Sequence, residues 1–163
     1  MLETKSEGPP GEPAHTDLMV HLLAMLHVLF ADATLTFRRA SFARAVGRGS
    51  PEVTYARAEG ELSSAQMGCP FYLEVGKQLP VDEKALGVFG PSGEHRVDLS
   101  VSQAWSYDDL VSALLAAADR EAPLPGTVSA ALQHHIWEEL TALSAMAGPV
   151  EEYMPGTWPD SRT

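Results

Sequence analysis

Four residues near the end of the chain, His134, His135, Glu138 and Glu139, have the spacing that metal chemistry asks for. On a helix, His134 with Glu138 and His135 with Glu139 are i,i+4 pairs, and side chains four apart share a face. Each pair could offer two ligands to one ion, but a centre needs a third and a fourth. No HExxH-type pattern or second cluster in the sequence supplies them. Such pairs are ordinary on solvated helix faces, where each is worth roughly 0.2–0.5 kcal/mol. The expectation is therefore no bound metal and no cofactor.

Four other residues could act as acid, base or nucleophile: His21, His27, Cys69 and Tyr72. His21 and His27 lie six residues apart, which leaves them about 120° apart round a helix and off a common face. Cys69 is the single cysteine and stands in Met-Gly-Cys-Pro-Phe. A nucleophilic thiol needs a histidine within reach and a lowered pKa, and nothing near it in sequence provides either. No GxGxxG or GxxxxGK[ST] phosphate loop and no GxSxG nucleophile elbow is present. The chain thus reads as a non-enzyme more readily than as an enzyme.

Charge gives a further candidate. The 163 residues carry a net charge of −11, which opposes non-specific binding to nucleic acid and to anionic membranes. Four arginines, Arg38, Arg39, Arg44 and Arg48, fall in one stretch without an acidic residue, and Arg57 follows. Their guanidinium forks could hold a phosphate, a carboxylate or an acidic protein face. They could instead pair with the chain's own acidic helices. Arg38-Arg39-Ala40-Ser41 also has the form of a basophilic kinase site, a pattern too short to separate from chance.

The elements that must position these residues are organised around residues 16–31. Leu18 to Ala31 reads LMVHLLAMLHVLFA, rich in strong helix formers, with Thr16 as the expected N-cap and Asp17 at the positive end of the dipole. Apolar side chains run all the way round, so the helix must be covered on most sides, by a sheet or by a second subunit. Fourteen residues span about 21 Å, short of a bilayer core. The run also resembles a signal-peptide core, but Glu3, Glu7, Glu12 and Asp17 against Lys5 precede it where a positive region belongs. With one cysteine and no export signal, the expected location is cytoplasmic.

Residues 1–15, rich in Pro, Gly and Glu, read as a flexible arm. Residues 16–149 read as one domain and residues 150–163 as an acidic tail. Within the domain, residues 34–37 suggest a strand and residues 41–46 a short helix opened by Ser41. Residues 53–58 and 70–75 alternate as strands, the second with Phe71, Leu73 and Val75 on one face and Tyr72 and Glu74 on the other. Residues 86–89 and 94–101 flank Gly90-Pro91-Ser92-Gly93, a hairpin loop. Ser106 caps a helix that ends at Ala122-Pro123, and a last helix over residues 128–147 carries the stripe Leu132, Ile136, Leu140 and Leu143.

That order predicts an α+β fold: an antiparallel sheet of three to five strands packed against an N-terminal buried helix and two C-terminal helices. The functional expectation is a small protein-interaction module of chaperone, adaptor, immunity or regulatory type. It would act by binding another protein and would form a homodimer through uncovered strand edges and apolar helix faces. The alternative is a small biosynthetic-pathway enzyme or ligand-binding protein with a pocket between the sheet and the central helix.

Overall fold

The apolar run folds as two pieces. In the computed structural model, which describes residues 1–5, 12–46, 52–65, 68–90, 93–98 and 130–159, helix α1 (Ala14–Asp17) hands over at Leu18 to helix α2 (Met19–Leu29). Pro13, not Thr16, precedes the first turn, with φ −60° and ψ 140°. Its fixed φ and missing N–H suit the start of a helix. Thr16 lies inside that turn, where its hydroxyl donates back to the Pro13 carbonyl at 3.0 Å. The Ala14 N–H donates to the Val53 carbonyl at 2.7 Å, which ties α1 to the sheet.

The described strands form one mixed sheet: β1 (Leu2–Lys5), β2 (Thr34–Ala45), β3 (Tyr55–Ser63), β4 (Gly68–Lys77), β5 (Glu83–Gly90), β6 (Gly93–Asp98) and β7 (Glu151–Tyr153). Their order is β6-β5-β1-β4-β3-β2-β7. β1 runs parallel to β4 and β7 parallel to β2, and the other neighbours are antiparallel. The fold is α+β, with a wider and less uniform sheet than the expected three to five antiparallel strands. The two additions, β1 and β7, come from the segments read as arm and tail. Strands of four and three residues are too short for alternation to show, and both take their place from a neighbouring ladder.

β2 corrects a second expectation. The segment read as a strand followed by a short helix is one strand of 12 residues, in which Ser41 pairs with Arg57. Strand preference depends on packing more than on residue type. Here β3 on one side and β7 on the other fix the backbone of an alanine-rich stretch. The register shifts between Phe37 and Arg39, and Arg38 is the extra residue of a bulge.

The described helices pack on one side of β1, β4, β3 and β2. α2 buries Met19, Leu22, Leu23 and Leu26, an i, i+3, i+4, i+7 stripe. Helix α3 (Ala130–Met146) buries Ile136, Glu139, Leu140 and Leu143 at the same spacing. These meet Ala40, Phe42, Ala56, Ala58, Leu62, Leu73 and Val75 of the sheet. Gly60 is required in that layer. A Cβ there would lie 2.3 Å from the Thr36 carbonyl oxygen and 2.6 Å from the Phe71 ring.

The opposite face has its own small cluster, in which Ala43, Ala45, Tyr55, Leu79 and Tyr153 pack with Trp158. A directed chain of hydrogen bonds holds the C-terminal segment there. The Ala45 N–H donates to the Thr54 hydroxyl at 2.8 Å, Thr54 and Tyr153 share a bond of 2.8 Å, and Tyr153 donates to the Lys77 carbonyl at 3.0 Å. The expected β5–β6 hairpin forms, but Gly90 and Gly93, read as loop residues, pair with each other in the ladder. The helix expected after Ser106 and the Arg48 segment lie outside the described residues. Among those described, no helix is long and apolar enough to cross a membrane.

Candidate functional site

α3 carries a carboxylate where its stripe calls for an apolar residue. Glu139 sits between Ile136 and Leu143 on the buried face, one position before Leu140. A carboxylate taken out of water is costly unless it is paired and hydrogen-bonded. Its partner comes from the last turn of α2, where His27 Nε2 lies 2.9 Å from Glu139 Oε2 and 3.1 Å from Oε1. The two side chains are 10% and 8% exposed. His135, one helical turn before Glu139, completes the group, with its Nε2 3.5 Å from Glu139 Oε1 and its ring edge-on to His27 at 5.1 Å between centroids. Its other nitrogen, Nδ1, stands 3.8 Å from Glu138 Oε2.

The tertiary structure therefore supplies the third residue that the sequence spacing lacked. His27, Glu139 and His135 hold one ligand atom each within 4.8 Å of the others. His134 does not join them. It is 78% exposed on the outside of α3 and contacts only the outer carboxylate of Glu138, at 3.4 Å, among the described ion pairs. The sequence signal that pointed to the group was present: a glutamate in an apolar stripe requires a buried partner. Which partner could not be read.

The other catalytic candidates do not converge with His27. His21 is exposed on α2, and Cys69 is half-buried on β4, opposite Leu62 and against the helix-side core. Tyr72 faces the other side of the sheet. Its hydroxyl donates to Glu74 Oε2 at 3.0 Å, and the Arg57 guanidinium stands 4.7 Å above its ring. Burial, and then the negative charge of Glu74, push the Tyr72 phenol up to about 12. The same two causes raise the neighbouring Tyr55 phenol further. α2 and the sheet pack together through the side chains of the core. An open depression of about 460 Å³ lies at the end of α2, lined by residues 29–33 with Ser64 and Ala65.

Of the candidate arginines, Arg38, Arg39, Arg44 and Arg57 lie along β2 and β3. Arg38 pairs with Glu61, Arg44 Nε with Glu152 at 3.0 Å, and Arg57 with Glu59 at 2.7 Å. Arg39 is exposed opposite Glu59 in the ladder. Arg38 and Arg44 reach across to neighbouring strands and Arg57 pairs along its own strand, so these carboxylates come from β3 and β7.

No protein-family model matches the chain, and no curated protein matches it in sequence. Among solved structures, it is similar to a 3-ketoreductase from Actinomadura kijaniata, determined in an open conformation with TDP-benzene and NADP. The likeness has a TM-score of 0.50 at 14% identity and covers 97% of this chain. It is a likeness of fold. The chain spans about half, 52%, of the ketoreductase.

Proposed function

We propose that this chain is a protein-interaction module that acts by binding another protein through the outer end of α2. The observation that carries the reading is the exposure of Val28 (69%) and Leu29 (52%) at that end. They continue an apolar helix past its last buried residue, Leu26. Trp137 of α3 adds a third large apolar side chain at 55% exposure. Apolar and aromatic groups that the chain's own packing leaves in water are what interface centres are built from. A second copy of the chain is the first partner to test, and the net charge of −11 keeps such a surface from indiscriminate association.

Size-exclusion chromatography with light scattering tests this on the wild type and on Val28→Glu and Leu29→Glu. Both positions are exposed, so both variants should fold. The expected result is a wild-type dimer, or a stoichiometric complex with a second protein, that either substitution dissociates. A wild type that is monomeric and captures nothing, with variants that behave identically, overturns the reading.

A second reading follows from the fold likeness: the chain serves as the half of a 3-ketoreductase-like enzyme that lacks the dinucleotide fingerprint. Its support is the likeness itself together with the lack of a GxGxxG loop in the sequence. The two readings coincide if the partner is a dinucleotide-binding domain. Thermal stabilisation by a nucleoside-diphosphate sugar, without any by NADP, favours this reading. No shift with either removes it.

A further inference from the structure

We propose that His27, His135 and Glu139 form a zinc site between α2 and α3, with one coordination position left to solvent. Two imidazole nitrogens and one carboxylate oxygen are a recurrent zinc donor set when a water takes the fourth place. Zinc binds such ligands at about 2.0–2.2 Å, which puts the donors of a tetrahedral site about 3.3 Å apart. His27 to Glu139 at 2.9 and 3.1 Å and His135 to Glu139 at 3.5 Å already bracket that separation. The full set spans no more than 4.8 Å.

The adjustment still needed falls on the residue able to make it. His27 and Glu139 are held by burial, at 10% and 8% exposure, whereas His135 is 54% exposed and free to turn toward the ion. Without the ion, a His27 tautomer with its proton on Nε2 would donate to the carboxylate. A metal at Nε2 would need that nitrogen's lone pair, so the ring would keep a single proton, on Nδ1, and release any second one to solvent. Glu138, 3.8 Å from His135 Nδ1, is placed to accept from the ring once Nε2 is on the metal. A carboxylate on the far nitrogen is the usual outer partner of a metal-bound histidine.

A structural His–Glu pair accounts for His27 and Glu139 alone. It does not require a second imidazole against the same carboxylate, and His135 is where the two explanations part. The test is zinc titration of the full chain against a chromophoric chelator, beside His135→Ala, Glu139→Gln and, as control, His134→Ala. The wild type and His134→Ala should bind one Zn²⁺ per chain with equal affinity, and His135→Ala and Glu139→Gln should lose at least about tenfold. Co²⁺ in the same site should give the intense visible absorption of a four-coordinate ion, absent from His135→Ala. If Glu139→Gln does not fold, His135→Ala decides, because its side chain is outside the core. Wild-type protein without one-to-one binding, a His135→Ala variant that binds as tightly as wild type, or a His134→Ala variant that loses as much as His135→Ala overturns the proposal.

Discussion

Lys77 is buried to 3% exposure at the end of β4, and its ammonium is held by two groups in and just before α1. Nζ lies 2.8 Å from Asp17 Oδ2 and donates to the Glu12 carbonyl at 2.8 Å, so this one side chain fastens α1 to the strand. The two ends of the pair differ in solvent access, with the lysine side chain 4% exposed and the aspartate 22%. Removing one partner of a buried pair costs about 3–5 kcal/mol, because the other charge stays behind without compensation. That cost should fall unequally. Asp17→Asn leaves the buried ammonium with the Glu12 carbonyl but without its counter-charge and should destabilise by about 3 kcal/mol. Lys77→Met keeps the apolar stem and leaves a carboxylate that water can reach, so the loss should be about 1–2 kcal/mol, much of it the bond to Glu12. The double variant should resemble Lys77→Met alone, since the stranded cation is gone. Urea unfolding followed by circular dichroism reads the difference, and with a slope of about 2 kcal/mol per molar, Asp17→Asn moves the midpoint by about 1.5 M. The reasoning is refuted if Asp17→Asn lies within about 0.5 kcal/mol of wild type, or if Lys77→Met is the more damaging of the two.

Tyr153→Phe should cost about 1–3 kcal/mol in the same assay, because it leaves the buried Thr54 hydroxyl and the Lys77 carbonyl without their phenol. Gly60→Ala should destabilise by about 2–3 kcal/mol, since the new methyl meets the Thr36 backbone as well as the Phe71 ring; a Cm unchanged from wild type contradicts the packing described. In alkali, the Tyr72 phenol, which burial first and then Glu74 raise to about 12 in the folded chain, binds its proton more tightly than an unfolded tyrosine near 10. Its contribution is whole below pH about 10 and is lost as pH rises toward about 12, so stability falls across that window. Phenolate absorbance of wild type against Tyr72→Phe checks it, and a tyrosine titrating at the unperturbed value in place of the raised one would contradict it.

The elements whose side chains repeat over several turns or pleats were legible from residues alone. α2 announces itself by its run of strong helix formers, α3 by helical spacing, β4 by the alternation of Phe71, Leu73 and Val75 against Tyr72 and Glu74, and the β5–β6 hairpin by its Gly-Pro-Ser-Gly sequence. What sequence could not settle was decided by neighbours. β1 and β7 are too short to carry a period and exist because β4 and β2 present them with ladders. The second half of β2 is alanine-rich and would suit a helix if it were alone, but Tyr55, Ala56 and Arg57 hold it extended. The candidate site divides in the same way. The i,i+4 relation of His135 and Glu139 is a property of the helix and was visible at once. The arrival of His27 against Glu139 links residues 112 apart, and that contact follows only from α2 and α3 sharing one side of the sheet. Local repeat fixes which face a residue occupies, whereas only packing fixes what that face meets.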